Sequence, residues 1–373
     1  MPVQTGSLTR RSMLSVSLQA AALGVAGSSF PVRAATGGPA DRAVVCIYLF
    51  GGNDGNNVIV PLNRYNQYAR RRGALALPRQ SLLSVTGVVS GNEYGFHPAM
   101  TEVANLFRSR SVAVVANVGR IGGTPINNSA TRAEFNSMRS VDPSLQYLTG
   151  GYVMPGWARG LASRADAVTG FPGIHGASGV SLVSTDVRGG VHSDIVERGI
   201  AESRQLRASF PSTGIGQQLK TVAGTIAAGS GTQVFLAQLG GFATSVNQLE
   251  KQGALLGELS DAMGAFYRAT VELGIANRVV TYTDSEYSRT LSPNEQDGSD
   301  RGWGGHQIVM GGSVVGGELY GEIPEMEPGG PRDVTGTGVW LPSVSKDRYS
   351  AAFAEWLGMP STGTAGPGLR FLA

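Results

Sequence analysis

The sequence predicts a doubly wound α/β fold in which a mainly parallel sheet lies between helical layers, a three-layer α/β/α arrangement. Three observations predict it. Continuous apolar runs recur along the chain, two of them end in paired glycines, and amphipathic helical spacings fall between them. A run with no polar alternation is how a strand buried on both faces reads, and strands alternating with helices build parallel sheets.

Taken in order, Ala43 to Phe50 is the first such run and stops at Gly51-Gly52. Pro98 to Phe107 carries Met100, Val103, Ala104 and Phe107 at helical spacing, with proline near the first turn. Ser111 to Val118 is the second strand, and Gln233 to Leu239, ending at Gly240-Gly241, is the third. Val246, Leu249, Leu256, Leu259, Met263, Phe266 and Val271 mark a long amphipathic helix that feeds a fourth strand, Arg278 to Tyr282. Gly311 to Glu322 is a glycine-rich strand or hairpin near the sheet edge. Tyr349 to Leu357 is a helix with Ala352, Phe353, Trp356 and Leu357 on one face, and the tail after Pro360 is expected to be loosely held. Residues 121–230 read as short helices covering one edge of the sheet. No internal repeat or long linker divides residues 35–373, which are expected to form one domain.

Ahead of that domain, Thr9-Arg10-Arg11-Ser12-Met13-Leu14 precedes an apolar run from Val16 to Ala26. Paired arginines, a modest apolar core and the small residues of Val32-Arg33-Ala34 make a twin-arginine signal peptide over residues 1–34. The competing reading is a membrane anchor. The run is short for ~30 Å of hydrocarbon and rich in Ala, Gly and Ser. Export by the twin-arginine machinery to the periplasm or beyond is therefore expected, with no transmembrane segment in the mature protein.

The chain carries 30 Lys+Arg against 27 Asp+Glu, a net +3. Arg10, Arg11 and Arg33 leave with the signal, so the mature protein is near neutral. No basic block remains to support a nucleic-acid partner. The lone Cys46 lies in an apolar run and reads as a core residue. The 54 glycines fit many tight turns.

In open α/β sheets ligands gather at the carboxyl ends of the strands. That rule selects the loops Gly51 to Asn57, Gly240 to Ser245 and Thr283 to Arg289, with Asp300 to His306 close behind. Asp54, Asp284, Asp300 and His306 are the candidate metal ligands, because converging carboxylates repel unless a cation or proton intervenes. Glu286 and Arg289 are the candidate catalytic residues, Arg289 as a planar clamp on a phosphate or sulfate oxygen. Each has a plainer reading. Asp54 sits in Asn-Asp-Gly, a strong turn former, and Arg289 could pair with Glu286 or Asp284. Trp303 reads as packing. His97 reads as a cap or packing residue at a helix start, while His175 and His192 have no evident partner. No Gly-x-Ser-x-Gly elbow, HExxH helix or P-loop appears, which argues against serine hydrolases, zincins and any nucleotide cofactor.

Leu49 to Leu62 with Tyr65, Phe96-His97-Pro98-Ala99-Met100, Gly156-Trp157-Ala158-Arg159, Ser285 to Thr290, His306 with Gly311-Gly312, Gly316 to Gly321, and Leu341 to Tyr349 together resemble an exported family named domain of unknown function 1501. That family is similar to the alkaline phosphatase and sulfatase-like superfamily, so the resemblance implies an alkaline-phosphatase-like fold. It also implies one or two divalent metals and hydrolysis of phosphate or sulfate esters. The chain departs from the pattern in three places. Ala243-Thr244-Ser245 stands where relatives carry Asp-Thr-His, Arg132-Ala133-Glu134-Phe135 where they carry Arg-Ser-His-Phe, and Asp300-Arg301-Gly302 where they carry Asp-His-Gly. Three histidines and a hydroxyl nucleophile are missing from these positions, and a shift of the alignment by a few residues would restore a nucleophile such as Ser129 or Thr131. An oxygen-rich set with one imidazole favours Ca²⁺ or Mg²⁺ over Zn²⁺.

Two readings follow. In one, the metal site is eroded and the fold serves as a binding or envelope-assembly module with a protein partner. In the other, the chain is a metal-dependent periplasmic hydrolase of phosphate or sulfate esters.

Overall fold

Residues Ala43–Leu49 form β1, and their side chains divide between two cores. Val45, Ile47 and Leu49 enter one, while Val44 and Cys46 enter the other. A strand covered on both faces has to be apolar at every position, which is why this run lacks alternation. The computed structural model describes residues 41–121, 181–184, 192–229, 232–358 and 369–373. Contacts group the chain into two units, residues 1–36 and 37–373, and every described residue belongs to the second.

After β1 come α1 (Gly55–Val58), β2 (Ile59–Pro61), α2 (Tyr65–Arg72), β3 (Leu83–Thr86), β4 (Glu93–Phe96), α3 (Thr101–Arg108) and β5 (Val112–Gly119). Then follow β6 (Ser181–Ser184), α4 (His192–Ser203), α5 (Gly214–Ala227), β7 (Thr232–Leu239), α6 (Gln248–Glu272) and β8 (Val279–Ser285). The chain ends with β9 (Gly305–Gly311), β10 (Leu319–Tyr320), β11 (Val344–Ser345) and α7 (Lys346–Trp356).

The main sheet has the order β10-β5-β9-β8-β1-β7-β6, with β11 also on β5. β1 lies parallel to β7, Val44 facing Val234, and parallel to β8, Val44 facing Val280. β9 runs antiparallel to both β8 and β5, and β6 runs antiparallel to β7. The other strands share one direction, so the sheet is mixed but mainly parallel, as expected. A separate antiparallel sheet has the order β2-β4-β3.

On one face α3, α5 and α6 pack Val103, Phe107, Leu219, Val222, Leu256, Met263 and Phe266 against the sheet. On the other, α7 brings Tyr349, Phe353 and Trp356, with Phe353 stacked 4.2 Å from the Tyr282 ring. Burying each such side chain contributes ~1.5–3 kcal/mol. Among the described residues, no helix is long and apolar enough to cross a membrane.

Several elements differ from the sequence reading for identifiable reasons. The helix expected from Pro98 begins at Thr101, because His97 first ties the chain into a turn. Its Nδ1 accepts from Ala99 N at 3.1 Å and its carbonyl from Met100 N at 2.9 Å. In α6 the buried stripe contains Gln248 and Gln252, whereas Leu249 and Val271 face solvent, and Val246 lies exposed ahead of the helix. Gly305 and His306, expected at the end of a loop from Asp300, instead open β9, which is buried throughout Gly305–Gly311. The end of the chain is docked rather than loose: Phe371 is buried in the α7-side core and Val314 bridges Leu372. Much of the irregular stretch within 121–230 lies outside the described residues, although α4 and α5 are regular helices and β6 takes the sheet edge.

Candidate functional site

The chain leaves β1 through Gly51 and Gly52, both left-handed with φ of 105° and 84°. Space as well as conformation requires glycine here. A Cβ on Gly51 would come within 2.3 Å of Ala243 N, and one on Gly52 would strike the Tyr287 ring at 2.2 Å. This close approach draws the loops after β1, β7 and β8 together, as the strand-end rule demands.

Asp54 sits at the centre of that junction and is 1% exposed. It caps α1, its Oδ1 accepting from Asn56 N at 3.1 Å and Asn56 Nδ2 at 2.9 Å. Its Oδ2 receives Arg72 Nη2 and Gln248 Nε2. Arg72 is itself fully buried and donates to Asn57 Oδ1 and to the carbonyls of Thr290 and Leu291. Tyr68 Oη donates to Asn57 Oδ1 at 2.7 Å, Trp340 Nε1 to Asn56 Oδ1 at 3.0 Å, and Ser299 Oγ to Gln248 Oε1. Both oxygens of Asp54 are therefore engaged inside the protein.

Arg289 has the same character. Its five N–H groups go to Gly51 O, Gly52 O, Phe242 O, Ser299 O and Ser245 Oγ, at 2.8 to 3.2 Å. Buried to 2% exposure, it staples the loops after β1 and β7 to the segment before Asp300. Among the described residues no ion pair joins Arg289 to Glu286 or Asp284, and its donors are taken within the protein. Burial lowers its pKa, opposed by the nearby Tyr287 and Asp54.

Asp284, near the end of β8, pairs with Lys346 Nζ at 2.8 Å and accepts from Ser285 N at 2.8 Å. Lys346, the first residue of α7, also donates to Ser285 O. Asp300 is exposed and accepts weakly from Asn294 Nδ2, while its backbone pairs with Thr290. His306, the second residue of β9, is buried. A bulge in β5 between Val115 and Val118 leaves Asn117 left-handed at φ 53°, and its N–H donates to His306 Nδ1 at 3.0 Å. Burial, with Arg64 adding to it, depresses the His306 pKa to about 4. His97 is depressed to about 4 by burial as well, against the pull of Asp54.

Asp54, Asp284, Asp300 and His306 thus lie around one end of the sheet without forming a ligand set. Among the described residues no group of three or more His, Cys, Asp or Glu is placed to hold a metal ion. Trp303 packs as expected, buried with Nε1 donating to Arg120 O at 2.7 Å, and Cys46 is a buried free thiol. His175 and the segment 132–135 fall outside the described residues.

Glu286 keeps one acceptor oxygen without a partner among the described residues. Its Oε2 accepts from Gly51 N at 3.1 Å, while Oε1 is buried and has no hydrogen-bond partner among the described residues. Burial raises its pKa, against the lowering effect of Gly51 N–H and Lys346. Thr244 Oγ1 and Gln252 Oε1, buried near the same loops, are also unpartnered among the described residues. Chemically this strand end offers oxygen acceptors for a ligand's donors and a carboxyl whose proton is held more tightly than usual.

A family model described as a protein of unknown function (DUF1501) matches residues 198–339. The chain is similar to that family over this stretch, which runs from α4 past β10. It includes Asp284, Glu286, Arg289, Asp300 and His306 and leaves out Asp54 and Lys346. No curated protein matches the chain.

Arg72, Gln248 and Lys346 were not candidates in the sequence. Arg72 closes the run Arg70-Arg71-Arg72, of which the first two are exposed and only the third is buried. Gln248 and Gln252 are spaced four apart, the one signal that they share a helix face with Leu256.

Proposed function

We propose that the chain is an exported envelope protein whose strand-end site binds a ligand or partner without carrying out ester hydrolysis. The observation supporting this reading is the commitment of Asp54 and Arg289 to internal bonds. A metal ligand needs a free lone pair and an oxyanion clamp needs free N–H groups, and neither residue retains them. The missing histidines at Ser245 and Arg301 point the same way, since a fold does not carry its chemistry once site residues change. Export rests on the signal features around Arg10-Arg11.

The deciding experiment combines metal analysis with turnover. Mature protein purified from the periplasm is assayed for bound divalent ions and for hydrolysis of aryl phosphates and sulfates with Ca²⁺, Mg²⁺, Mn²⁺ and Zn²⁺. The expected result is background hydrolysis that Glu286→Gln does not change. Multiple-turnover hydrolysis abolished by Glu286→Gln would overturn the proposal. Separately, replacing Arg10 and Arg11 with lysine should leave precursor in the cytoplasm, and normal export of that variant would remove the twin-arginine route.

A further inference from the structure

We infer that the turn between β3 and β4 is an apolar tip that docks on an anionic lipid surface. The turn displays Val88 and Val89 at 50% and 84% exposure, and Val315 is exposed at 43% on the neighbouring segment. Val88 N donates to Gly317 O at 2.8 Å, which holds these side chains on one part of the surface.

The tip is built for removal from water. Gly87 N donates to Asn92 O, Val88 N to Gly317 O, and Gly91 N to Gly87 O, at 2.8 to 2.9 Å. Val89 N and Ser90 N donate to Glu318 Oε2 at 2.7 and 2.8 Å, and Asn92 N to Ser90 Oγ at 3.3 Å. Six consecutive amides, 87 to 92, thus have partners within the protein. A loop facing only water does not need this. A loop entering a hydrocarbon boundary does, because each unpaired amide resists the transfer. The Glu318 carboxylate that organises the turn lies beneath it, 7% exposed, and also accepts Ser90 Oγ and Leu319 N.

Charge selects the surface. The Arg110 stem runs beside Gly317 and Val88, the three meeting where a Cβ on Gly317 would touch Val88 Cγ2 at 2.8 Å and Arg110 Cγ at 3.3 Å. Arg370 is exposed next to Phe371, whose carbonyl accepts from Val315 N. Arg108 lies at the base of the hairpin on Ser84 O. Against these, Glu93 is the exposed carboxylate of the hairpin. Apolar side chains flanked by arginines whose stems can lie along the boundary suit anionic headgroups.

The test is co-sedimentation of the full chain with vesicles of phosphatidylcholine, alone or mixed with phosphatidylglycerol. Binding is expected only with the mixed vesicles and should weaken with salt. Val89→Asp and Arg110→Glu should each lower the partition about tenfold. Val89→Asp alters a side chain already in water, so an unchanged thermal melt verifies its fold. Absence of binding to the mixed vesicles, or equal binding by Val89→Asp, overturns the inference. So does a concentration-dependent dimer that Val89→Asp abolishes, which would assign the tip to a second copy of the chain.

Discussion

Arg72 closes on Asp54 with neither side chain exposed to solvent, and that pair joins α2 to the loop after β1. A buried ion pair is costly to assemble, and removing one partner strands the other in a low-dielectric site. The pair is therefore a structural dependence of the whole strand-end junction. Asp54→Asn leaves the Arg72 guanidinium short of its counter-charge and should destabilise the protein by about 3–5 kcal/mol in urea unfolding. A double-mutant cycle with Arg72→Met should show strong coupling between the two sites. Loss of less than ~1 kcal/mol in Asp54→Asn would mean the carboxylate is available for another role.

Arg289 separates two roles by what its replacement costs. Lysine keeps the charge but has a single amino head in place of five forked N–H groups. If the residue staples loops, Arg289→Lys leaves several buried carbonyls unpaired and should lower stability by roughly 2–4 kcal/mol. A ligand clamp would instead show a normal melt with weakened anion binding. Thermal unfolding beside a phosphate titration distinguishes them.

Legibility in the sequence followed burial. β1, β5, β7 and β8 could be read because a strand covered on both faces is apolar at nearly every position, and Val44, Val114, Phe235 and Val280 all conform. β9 escaped because Gly305, His306 and Gln307 open it with residues that look like a loop, although all three are buried. The loops after β1 and β7 lie where the sequence puts them, whereas Thr283 to Ser285 continue β8 and Gly305-His306 open β9, and the bonding state of the side chains was not readable. Asp54 could be found as a turn residue or a ligand; that its counter-charge is Arg72, from an arginine run 18 positions on, follows only from how α2 packs. Lys346 is further still, brought to Asp284 by the register of α7 against β8.

Glu286 gives a pH signature. Its folded pKa is raised above the ordinary 4.5, so the folded state holds this proton after the unfolded chain has released it. The sign follows: Glu286 costs the protein nothing at low pH, and the penalty grows as pH rises from about 4.5 through the folded pKa. Glu286→Gln removes a charge that burial disfavours, so it should be neutral or stabilising at pH 7 and without benefit near pH 4. A variant less stable at pH 7 than at pH 4, relative to the parent, would show that the carboxylate is favourably paired.

His97 and His306 act with the opposite slope. Both are buried with Nδ1 accepting a backbone N–H, and both have a pKa depressed from 6.5 to about 4. Below pH 6.5 the unfolded chain takes up protons that the folded chain refuses, so stability is lost as pH falls towards 4. Each histidine adds up to ~1.4 kcal/mol per pH unit across that window. Urea unfolding at pH 7.0, 6.0 and 5.0 should therefore show a steep decline, and His306→Gln should remove close to half of the histidine-linked slope even though it lowers stability at pH 7. His306 protonates where Asn117 N already points at Nδ1, so acid should loosen the β5 bulge before the rest of the sheet. Hydrogen exchange at Asn117 that stays nearly level between pH 6 and 5, where base catalysis alone would slow it about tenfold, would support this order, and the full slowing there would place the acid-sensitive step at His97.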